Sequence, residues 1–327
     1  MRFEGLDLNL LVAFNALAEE RSVTAAARRL NMSQSAMSAA IGRLRTYFSD
    51  DLFTMVGRRL VPTALGQSLE QPTRDVLMRV RASVIARPAF EPSTSRRRFA
   101  MTVSDYASIV LMNQVLRRVY SIAPGVIFDF IPFDDRPDEQ LLRGEVDFLI
   151  FPDIYLTNGH PKAHLFGDDF CCIAWTGSRK VGERLTVSQY LELGHVSAAF
   201  GPSRRVSFEE RAIAEQGYKR RIEVVAQSFT MMATMVVGTD RIATIHRRLA
   251  TLFAHHLPLK LIPAPIPIAN FREGLQWPAP LDRDPAICWL RDVICDVAKE
   301  VDADPVGRPG KPVTLRRRSM SPTVRST

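Results

Sequence analysis

The stretch SVTAAARRLNMSQSAMSAAIGRLRTYF, residues 22–48, predicts two helices joined by a short turn. The first helix carries apolar residues at the spacing of a single helical face, namely Val23, Ala26, Ala27 and Leu30. The turn falls at Asn31 and Met32, and Ser33 is a suitable N-cap for a second helix that ends near Phe48. That second helix has large apolar side chains on one side only: Met37, Ile41, Leu44 and Phe48.

The opposite side of the second helix is small and polar. It carries Ser35, Ser38, Ala39, Gly42 and Arg43, with Gln34 at its N-terminal end. A helix that enters the DNA major groove must be slim, and it needs short donors and acceptors, a methyl group for thymine, and a long basic or amide side chain for base edges. The pattern therefore predicts a helix-turn-helix. The alternative is an Ala-rich helical hairpin whose polar side faces only water.

The following segment, DDLFTMVGRRLVPT at residues 50–63, predicts a small hairpin. Gly57 allows a tight turn, and Arg58 and Arg59 lie at the tip, where a wing reaches phosphates or the minor groove. Taken alone, the segment also fits a solvated basic hairpin. An earlier helix is predicted from Leu11, Phe14, Leu17 and Ala18, with Asp7 as its N-cap.

The order AAARRLNMSQSAMSAAIGRLR, DDLF and GRRLVPTALG closely resembles the N-terminal winged helix-turn-helix of LysR-type transcriptional regulators. The resemblance implies that Gln34, Ser38 and Arg43 face an operator, and that Arg58 and Thr63 contact the DNA backbone. The sequence departs from the family pattern at Ser35, usually proline, at Met55, a frequent wing arginine, and at Arg45, a frequent glutamate. The full predicted DNA-binding set is Ser33, Gln34, Ser35, Ser38, Ala39, Gly42, Arg43, Arg58, Arg59 and Thr63.

Residues 64–88 predict a linker helix after the winged helix-turn-helix of residues 1–63. Its apolar residues are Leu69, Val76, Val80 and Val84. Pro72 should kink the helix or split it in two. An isolated amphipathic helix needs a partner, and a twin helix would give the two-fold dimer that suits palindromic half-sites. Residues 89–98, rich in Pro, Ser and Arg, indicate a hinge.

From residue 99 short apolar strands alternate with helical segments. The candidate strands are FAMTV, VIFDFI, VDFLIF, FCCIAW, HVSAAF, IEVVA, RIATI and LKLI, and the candidate helices span 106–122, 207–216, 228–237 and 285–300. Such alternation predicts an α/β body with mostly parallel sheets covered by helices. The family resemblance implies a two-lobed effector-binding domain like a periplasmic binding protein at 99–301, with lobe one at 99–168 and 270–301 and lobe two at 169–269.

Ligands in such folds bind in crevices at the carboxyl ends of strands. The residues predicted to bind an effector there are Ser104, Asp105, Phe151, Phe200, Gly201, Gln227, Ser228, Phe229, Met231, Ile245 and His246. Alternatively, the serines and the aspartate only cap helices, and the phenylalanines only fill the core.

Four segments, RTYFSDDLFTM, GEVDFLIFP, KRRIEVV and LQWP, resemble the nodulation protein D group within the LysR-type regulators. The resemblance runs to about residue 300 and implies a regulator of nodulation genes that binds promoter DNA and responds to plant flavonoids. As a dimer or tetramer it would bend double-stranded DNA under ligand control and recruit RNA polymerase. Phe151, Phe200, Phe229 and Met231 could supply apolar walls for a flavonoid.

Charge is concentrated at the two ends of the 327-residue chain, whose formal net charge is +8. The net charge is +2 over residues 1–62, +4 over 63–98, −2 over 99–300 and +4 over 301–327. This distribution fits a nucleic-acid-binding end joined to a different body. Residues 302–327, rich in Pro, Arg and Ser, predict a disordered basic tail that adds non-specific affinity for DNA.

Other protein classes lack sequence support. No apolar stretch approaches the roughly 20 residues that span a bilayer, and acidic residues precede the first apolar run, so we expect a cytoplasmic protein. The motifs of nucleotide-binding, hydrolytic and zinc enzymes do not occur, so we expect no enzyme, metal site or cofactor. Cys171, Cys172, Cys288 and Cys295 form no CxxC pair, although a regulator of another small-molecule or redox-responsive operon stays an alternative.

Overall fold

The computed structural model describes residues 2–3, 6–57, 59–80, 90–132 and 136–304. Four predictions lie partly or wholly outside these residues: Arg58 in the wing, the end of the linker helix after Val80, the first residue of the hinge, and the basic tail from 305. Among the helices described, none combines the length and apolar composition needed to cross a membrane.

The N-terminal part is a three-helix unit with a hairpin. Its elements are β1 (Arg2–Phe3), β2 (Leu6–Asp7), α1 (Asn9–Glu20), α2 (Val23–Arg29), α3 (Gln34–Phe48), β3 (Phe53–Val56) and β4 (Arg59–Pro62). Strands β1 and β2 pair with each other, and β3 pairs antiparallel with β4. The apolar faces of the three helices meet in one core that includes Phe14, Leu17, Met37 and Leu44, with Phe53 of the hairpin against them.

Local signals set the helix boundaries in this unit. The hydroxyl oxygen of Ser22 accepts a hydrogen bond from the amide of Ala25, and Ser33 accepts one from Ala36 at 3.1 Å. Asn31, in the turn, adopts a positive φ of 53°, which asparagine tolerates better than most residues. Asp7 was predicted as the N-cap of α1, but Leu8, one residue later, holds that position. The carboxylate of Asp7 still accepts a hydrogen bond from the amide of Asn9, the first residue of the helix.

The linker helix α4 (Ala64–Val80) is continuous through Pro72, so the predicted split into two helices was wrong. A mid-helix proline removes one backbone hydrogen bond and costs about 3 kcal/mol. Packing at both ends of the helix offsets that cost, since Leu69 joins the N-terminal core and the buried Met78 lies against Gly144 of the effector-binding part.

The effector-binding part contains two sheets. Its strands are β5 (Arg98–Val103), β6 (Ile127–Ile131), β7 (Phe148–Pro152), β8 (Lys162–Asp168), β9 (Phe170–Trp175), β10 (Gly194–Phe200), β11 (Arg205–Val206), β12 (Arg221–Ala226), β13 (Ile242–His246), β14 (Leu259–Pro263) and β15 (Phe271–Gln276). The first sheet has the order β6-β5-β7-β15-β8, and the second has β11-β10-β13-β9-β14 with β12 paired to β10. The chain crosses between the sheets twice, from β8 to β9 and from β14 to β15.

The sheets were predicted to be mostly parallel, but they are mixed, and these crossings explain why. The pairs β5–β6, β5–β7, β10–β12 and β10–β13 are parallel. Because the chain enters the second sheet through β9 and leaves it through β14, these strands run antiparallel, and so do β8 and β15 in the first sheet. All eight predicted strands are present, whereas β8, β11 and β15 were missed because their charged and glycine residues dilute the apolar pattern.

Helices cover both sheets. They are α5 (Asp105–Ala107), which continues through a π-helical turn at Ser108–Met112 into α6 (Asn113–Ile122), then α7 (Pro137–Leu142), α8 (Val187–Glu192), α9 (Phe208–Glu215), α10 (Phe229–Val236), α11 (Arg247–Ala254) and α12 (Pro285–Ala303). The four predicted helical segments are present. The short helices α7, α8 and α11 were missed because six to eight residues give too little periodicity to recognise.

Gly66 is a position where the packing of the N-terminal unit excludes any side chain. A Cβ atom at Gly66 would overlap the carbonyl oxygen of Leu52. Leu52 is fully buried and has a positive φ of 58°. We therefore expect Gly66→Ala to lower the free energy of unfolding by about 1–3 kcal/mol, measured by denaturant titration.

Gly42→Ala is the matched control for this prediction. A Cβ atom at Gly42 meets nothing within 4 Å, and alanine favours a mid-helix position by about 0.5–1 kcal/mol over glycine. Equal stability of the two variants would show that the contact between α4 and Leu52 is not constrained as described.

Candidate DNA-binding surface and effector cleft

The outer face of α3 is fully accessible. Every predicted DNA-facing residue of this element is exposed: Ser33, Gln34, Ser35, Ser38, Ala39, Gly42 and Arg43. The opposite face is buried through Met37, Ile41 and Leu44. The helix thus presents a slim surface of hydroxyl, amide, methyl and guanidinium groups, the combination that reads base edges in the major groove.

Two departures from the family pattern have a structural explanation. The hydroxyl of Ser35 lies 3.0 Å from that of Ser33, so it joins the N-terminal cap of α3. The guanidinium of Arg45 donates to the carbonyl oxygens of Asp51 and Phe53, at 2.8 Å and 3.0 Å. Arg45 therefore connects the end of α3 to the start of the hairpin.

The hairpin brings only part of the predicted set to the surface. Arg59 is exposed at the start of β4. The Thr63 hydroxyl instead donates to the carboxylate of Asp50 at 2.6 Å and accepts from the amide of Gly66 at 3.0 Å. The bond from Thr63, together with one from the amide of Leu52, lowers the pKa of Asp50, and these contacts link α3, the hairpin and α4. Thr63 was predicted to contact the DNA backbone, but in this structure its hydroxyl is already paired inside the domain.

We expect Arg43→Ala to weaken specific DNA binding by about 1–3 kcal/mol if Arg43 reads a base. Its side chain is 59% exposed, and its ion pair with Asp7 is long, at 3.7 Å, so little holds it away from DNA. Fluorescence anisotropy over a salt series on operator and scrambled DNA measures the effect.

Arg98→Ala is the matched control, because Arg98 is equally exposed and paired with a carboxylate, Asp129, but lies on β5 in the effector-binding part. An equal loss for Arg43→Ala on both DNAs, with a smaller salt slope, would make Arg43 a phosphate contact rather than a base contact.

A cleft that is partly open to solvent lies between the two sheets, and about 80 Å³ of it is accessible to the centre of a water molecule. It is lined by Ser104, Tyr106, Phe151, Pro152, Tyr155, Phe200, Gly201, Arg205, Val206, Ser207, Phe208, Arg211, Phe229, His246, Phe271 and Glu273. These residues come from both lobes, and aromatic rings predominate. Apolar walls with few polar groups are typical of a small-molecule site.

The structure brings six of the eleven predicted effector residues into this cleft: Ser104, Phe151, Phe200, Gly201, Phe229 and His246. The other five do not line it. Ile245 is buried in the second sheet opposite Cys171, Ser228 accepts from the amide of Met231 as a helix cap, and Gln227 and Met231 are exposed. For Ile245 the physical reason is that neighbouring residues on a strand point to opposite faces, so His246 faces the cleft and Ile245 does not.

Asp105 is outside the cleft but joins the two lobes. Its carboxylate accepts a hydrogen bond from the amide of Thr230, in the first turn of α10, at 2.7 Å. Ser104, one residue earlier, uses its hydroxyl to accept from the amide of Ala107 at 3.1 Å. Ser104 therefore caps a helix with its hydroxyl, which was the alternative to effector binding, and it also lines the cleft.

Sequence reasoning missed ten residues of the cleft: Tyr106, Pro152, Tyr155, Arg205, Val206, Ser207, Phe208, Arg211, Phe271 and Glu273. Tyr106 and Pro152 are sequence neighbours of predicted residues, so a wider window at each strand end would have found them. Phe271 and Glu273 lie on β15, a strand that the sequence pattern did not reveal.

His246 and Tyr106 form the floor of the cleft. Their rings stack with centroids 3.9 Å apart, and Phe271 and Phe229 pack around His246. Burial lowers the pKa of His246 to about 3, so the imidazole is neutral. The Tyr106 hydroxyl donates to the carboxylate of Asp168 at 2.8 Å, beside the first crossing between the lobes.

Glu273 is an acidic group inside this aromatic cleft. Its side chain is 1% exposed, and its Oε2 atom has no hydrogen-bond partner. Burial, with a smaller effect of Asp153, raises the pKa of Glu273 to about 8. The carboxyl group therefore stays protonated and uncharged at neutral pH.

We expect the free energy of unfolding of the wild type to fall between about pH 6.5 and pH 8.5, and Glu273→Gln to reduce that fall. The pKa of Glu273 is about 8 in the folded protein, whereas its ordinary value is 4.5. Between these values the folded state holds a proton that the unfolded chain has lost, so the free energy of unfolding falls as the pH rises towards 8. Denaturant titrations across this range should show a wild-type slope on the order of 1 kcal/mol per pH unit.

Glu209→Gln provides the contrast. Burial raises the pKa of Glu209 to about 7, so its effect on the free energy of unfolding ends at a lower pH than that of Glu273. The buried His195 and His246, with lowered pKa values of about 4 and about 3, act below pH 6.5 and with the opposite sign. Identical slopes for wild type and Glu273→Gln near pH 8 would contradict a protonated Glu273.

The cysteines do not have the properties of redox sensors. Cys171 and Cys172 are fully buried on β9, and burial raises their pKa values to about 12 and about 11. The thiol of Cys288 donates to the carbonyl oxygen of Asp282, and burial raises the pKa of Cys295. A sensing thiol needs exposure and a lowered pKa, so the geometry does not favour the redox alternative.

Comparison with known families agrees with these two sites. Residues 8–67 match the model described as bacterial regulatory helix-turn-helix protein, lysR family. Residues 92–299 match the LysR substrate binding domain, which covers more than half of the chain. The chain belongs to the LysR family. The predicted family and fold class are confirmed, and this LysR-family protein is a transcriptional regulator and not an enzyme.

Relatives within the LysR family place the protein in the nodulation protein D group. It is 48% identical over 298 residues to nodulation protein D 1 of a Bradyrhizobium species, covering 91% of this chain and 95% of that protein. It is also 48% identical over 301 residues to nodulation protein D 1 of Rhizobium tropici, covering 92% and 98% of the two chains.

Solved structures show the same fold. A probable transcriptional regulator from Pseudomonas aeruginosa is 28% identical with a TM-score of 0.60, over 89% of this chain and 97% of that one. Full-length OxyR from the same organism has a TM-score of 0.64 at 16% identity, over 90% and 97% of the two chains. At that identity, the second likeness concerns the fold alone.

Proposed function

We propose that this LysR-family protein regulates nodulation genes and that a plant flavonoid bound between the lobes is its effector. The aromatic lining of the cleft is the observation that carries this proposal. Nodulation protein D relatives that align over almost the whole chain support the target genes. The protein would act in the cytoplasm, where promoter DNA is available.

The shape of the cleft fits a flat aromatic ligand. Phe200 and Phe229 pack with ring centroids 4.8 Å apart, and Phe208 and Phe271 lie 6.3 Å apart on the other side. Aromatic rings prefer offset or edge-to-face arrangements with other rings, which are worth about 0.5–1.5 kcal/mol each beyond the buried area. A planar polycyclic molecule with a few hydroxyl groups would use these walls better than a sugar or an aliphatic acid.

The proposed mechanism follows the connections between the two sites. A dimer, or a pair of dimers, would place two α3 helices on successive half-sites of promoter DNA. Ligand in the cleft contacts both lobes and so favours one lobe arrangement over another. Helix α4 would transmit that preference, because Met78 packs against Gly144 in the first lobe while Leu69 packs in the DNA-binding core. The resulting change in DNA bending would control recruitment of RNA polymerase.

We expect a footprint of the purified protein on a nodulation promoter to show two protected patches with hypersensitive sites between them. Flavonoids should change the hypersensitive sites. Phe200→Leu should require about fivefold to tenfold more flavonoid for the same change, since it removes one wall ring at the half-buried edge of the cleft.

Tyr120→Leu is the control for this experiment, because Tyr120 is an exposed aromatic residue on α6 that does not line the cleft. Protection that ignores every flavonoid would contradict the effector class and leave DNA binding intact. Absence of protection would contradict α3 as the recognition helix for that promoter.

A further inference from the structure

Glu273 occupies a position that the local backbone directs into the cleft. On β15, Phe271 and Glu273 are buried and line the cleft, whereas Arg272 between them is exposed on the other face. The pairing of β15 with β8 shifts register directly after Glu273, and on its other side Glu273 is paired with Pro152 of β7. Such irregularities bend a strand and re-aim its side chains near binding sites.

Most other polar side chains of the cleft interior are already paired. The Tyr106 hydroxyl donates to Asp168, the Ser207 hydroxyl donates to Glu209, and the Ser104 hydroxyl caps α5. Among the buried side chains that line the cleft, the unpartnered atoms in the described structure are Oε2 of Glu273 and Nδ1 of His246. An unpaired buried polar atom destabilises the folded state by about 1–3 kcal/mol, so its presence in a cleft calls for a ligand group that pairs with it.

We propose that Glu273 is a specificity-determining residue that hydrogen-bonds, as an uncharged carboxylic acid, to a phenolic hydroxyl of the effector. This inference rests on the proposed function, because it assumes that an aromatic ligand enters the cleft. A carboxylic acid can donate one hydrogen bond and accept another, so it pairs with a hydroxyl in either direction.

The charges around Glu273 select an uncharged ligand. Asp153 is the charged neighbour that acts on Glu273, and the guanidinium of Arg272 is on the opposite face of the strand. Arg211 lies at the exposed side of the cleft, over the ring of Tyr155 at 5.4 Å. Asp153 therefore disfavours an aromatic carboxylate next to Glu273, whereas a phenol meets a matching hydrogen-bond partner there. The two arginines of the cleft, Arg205 and Arg211, are exposed residues of its lining.

The test compares flavone with apigenin, which has the same ring system and carries hydroxyl groups at both ends. Calorimetric titration of the full chain with each compound gives its affinity for wild type, Glu273→Gln and Glu273→Leu. We expect Glu273→Leu to lose about tenfold or more in apigenin affinity and to bind flavone within about twofold of wild type. Glu273→Gln should keep apigenin affinity within about threefold, because its amide also donates and accepts.

Glu300→Leu is the matched control, since Glu300 is an exposed acid on α12 that pairs with Arg118 and does not line the cleft. A similar loss for flavone and apigenin in Glu273→Leu would assign Glu273 a structural role and overturn the proposal. Unchanged apigenin affinity in Glu273→Leu would also overturn it, while the flavonoid-binding function would stand. If wild type binds neither compound, both the effector class and the role of Glu273 fail.

Discussion

The hydrogen bond from Tyr106 to Asp168 lies where the chain first passes from one lobe to the other. Asp168 also accepts from the backbone amide of Arg248 at 3.2 Å, and the Arg248 guanidinium donates to the carbonyl oxygens of Gly167 and Val301. These bonds tie the crossing to the first turn of α11 and to the end of α12. Burial raises the pKa of Asp168 to about 6, so the carboxylate that accepts them is partly protonated in mildly acidic solution. The cleft lies between the two lobes that this crossing and the return from β14 to β15 connect.

The same geometry explains why the cleft is both aromatic and acidic. Residues at the ends of strands from two sheets converge there, and the surrounding side chains bury Glu273 and His246. A low-dielectric environment favours the uncharged form of any titratable group, which explains why His246 is neutral and Glu273 is protonated. Glu273 and His246 therefore offer uncharged hydrogen-bonding groups, while the cations of the cleft, Arg205 and Arg211, are exposed. The outer face of α3 differs, because the exposed Arg43 can meet phosphates or base edges there.

An element of this structure could be predicted from the sequence when the pattern that reveals it lies within a few neighbouring residues. The helix-turn-helix was predictable because Ser33, Met37 and Leu44 reveal capping and helical period within a few residues. The eight apolar strands were predictable for the same reason. Strand β15 was not, because FREGLQ mixes buried and exposed charges, and Glu273 in isolation is indistinguishable from a surface acid. Its burial arises from contacts with β7 and β8, more than a hundred residues earlier in the chain. Ten of the sixteen cleft residues were missed, Phe271 and Glu273 for this reason, while strand-end residues such as Phe151 and Phe200 were found.

Coupling between the two sites requires a physical connection, and α4 is the element that touches both. Leu65 and Leu69 pack against the N-terminal core, while Met78 packs against Gly144. Burial lowers the pKa of His160, and the charge of Asp75 opposes that shift. His160 in turn accepts from the backbone amide of Ala279, close to the start of α12. A change in lobe arrangement that moves this region must either move α4 with it or break these contacts. Because Pro72 has already removed one backbone hydrogen bond near the middle of α4, bending there is the less costly response. In the mechanism proposed above, the linker would therefore convert a small movement at the cleft into a change in the angle at which α3 meets DNA.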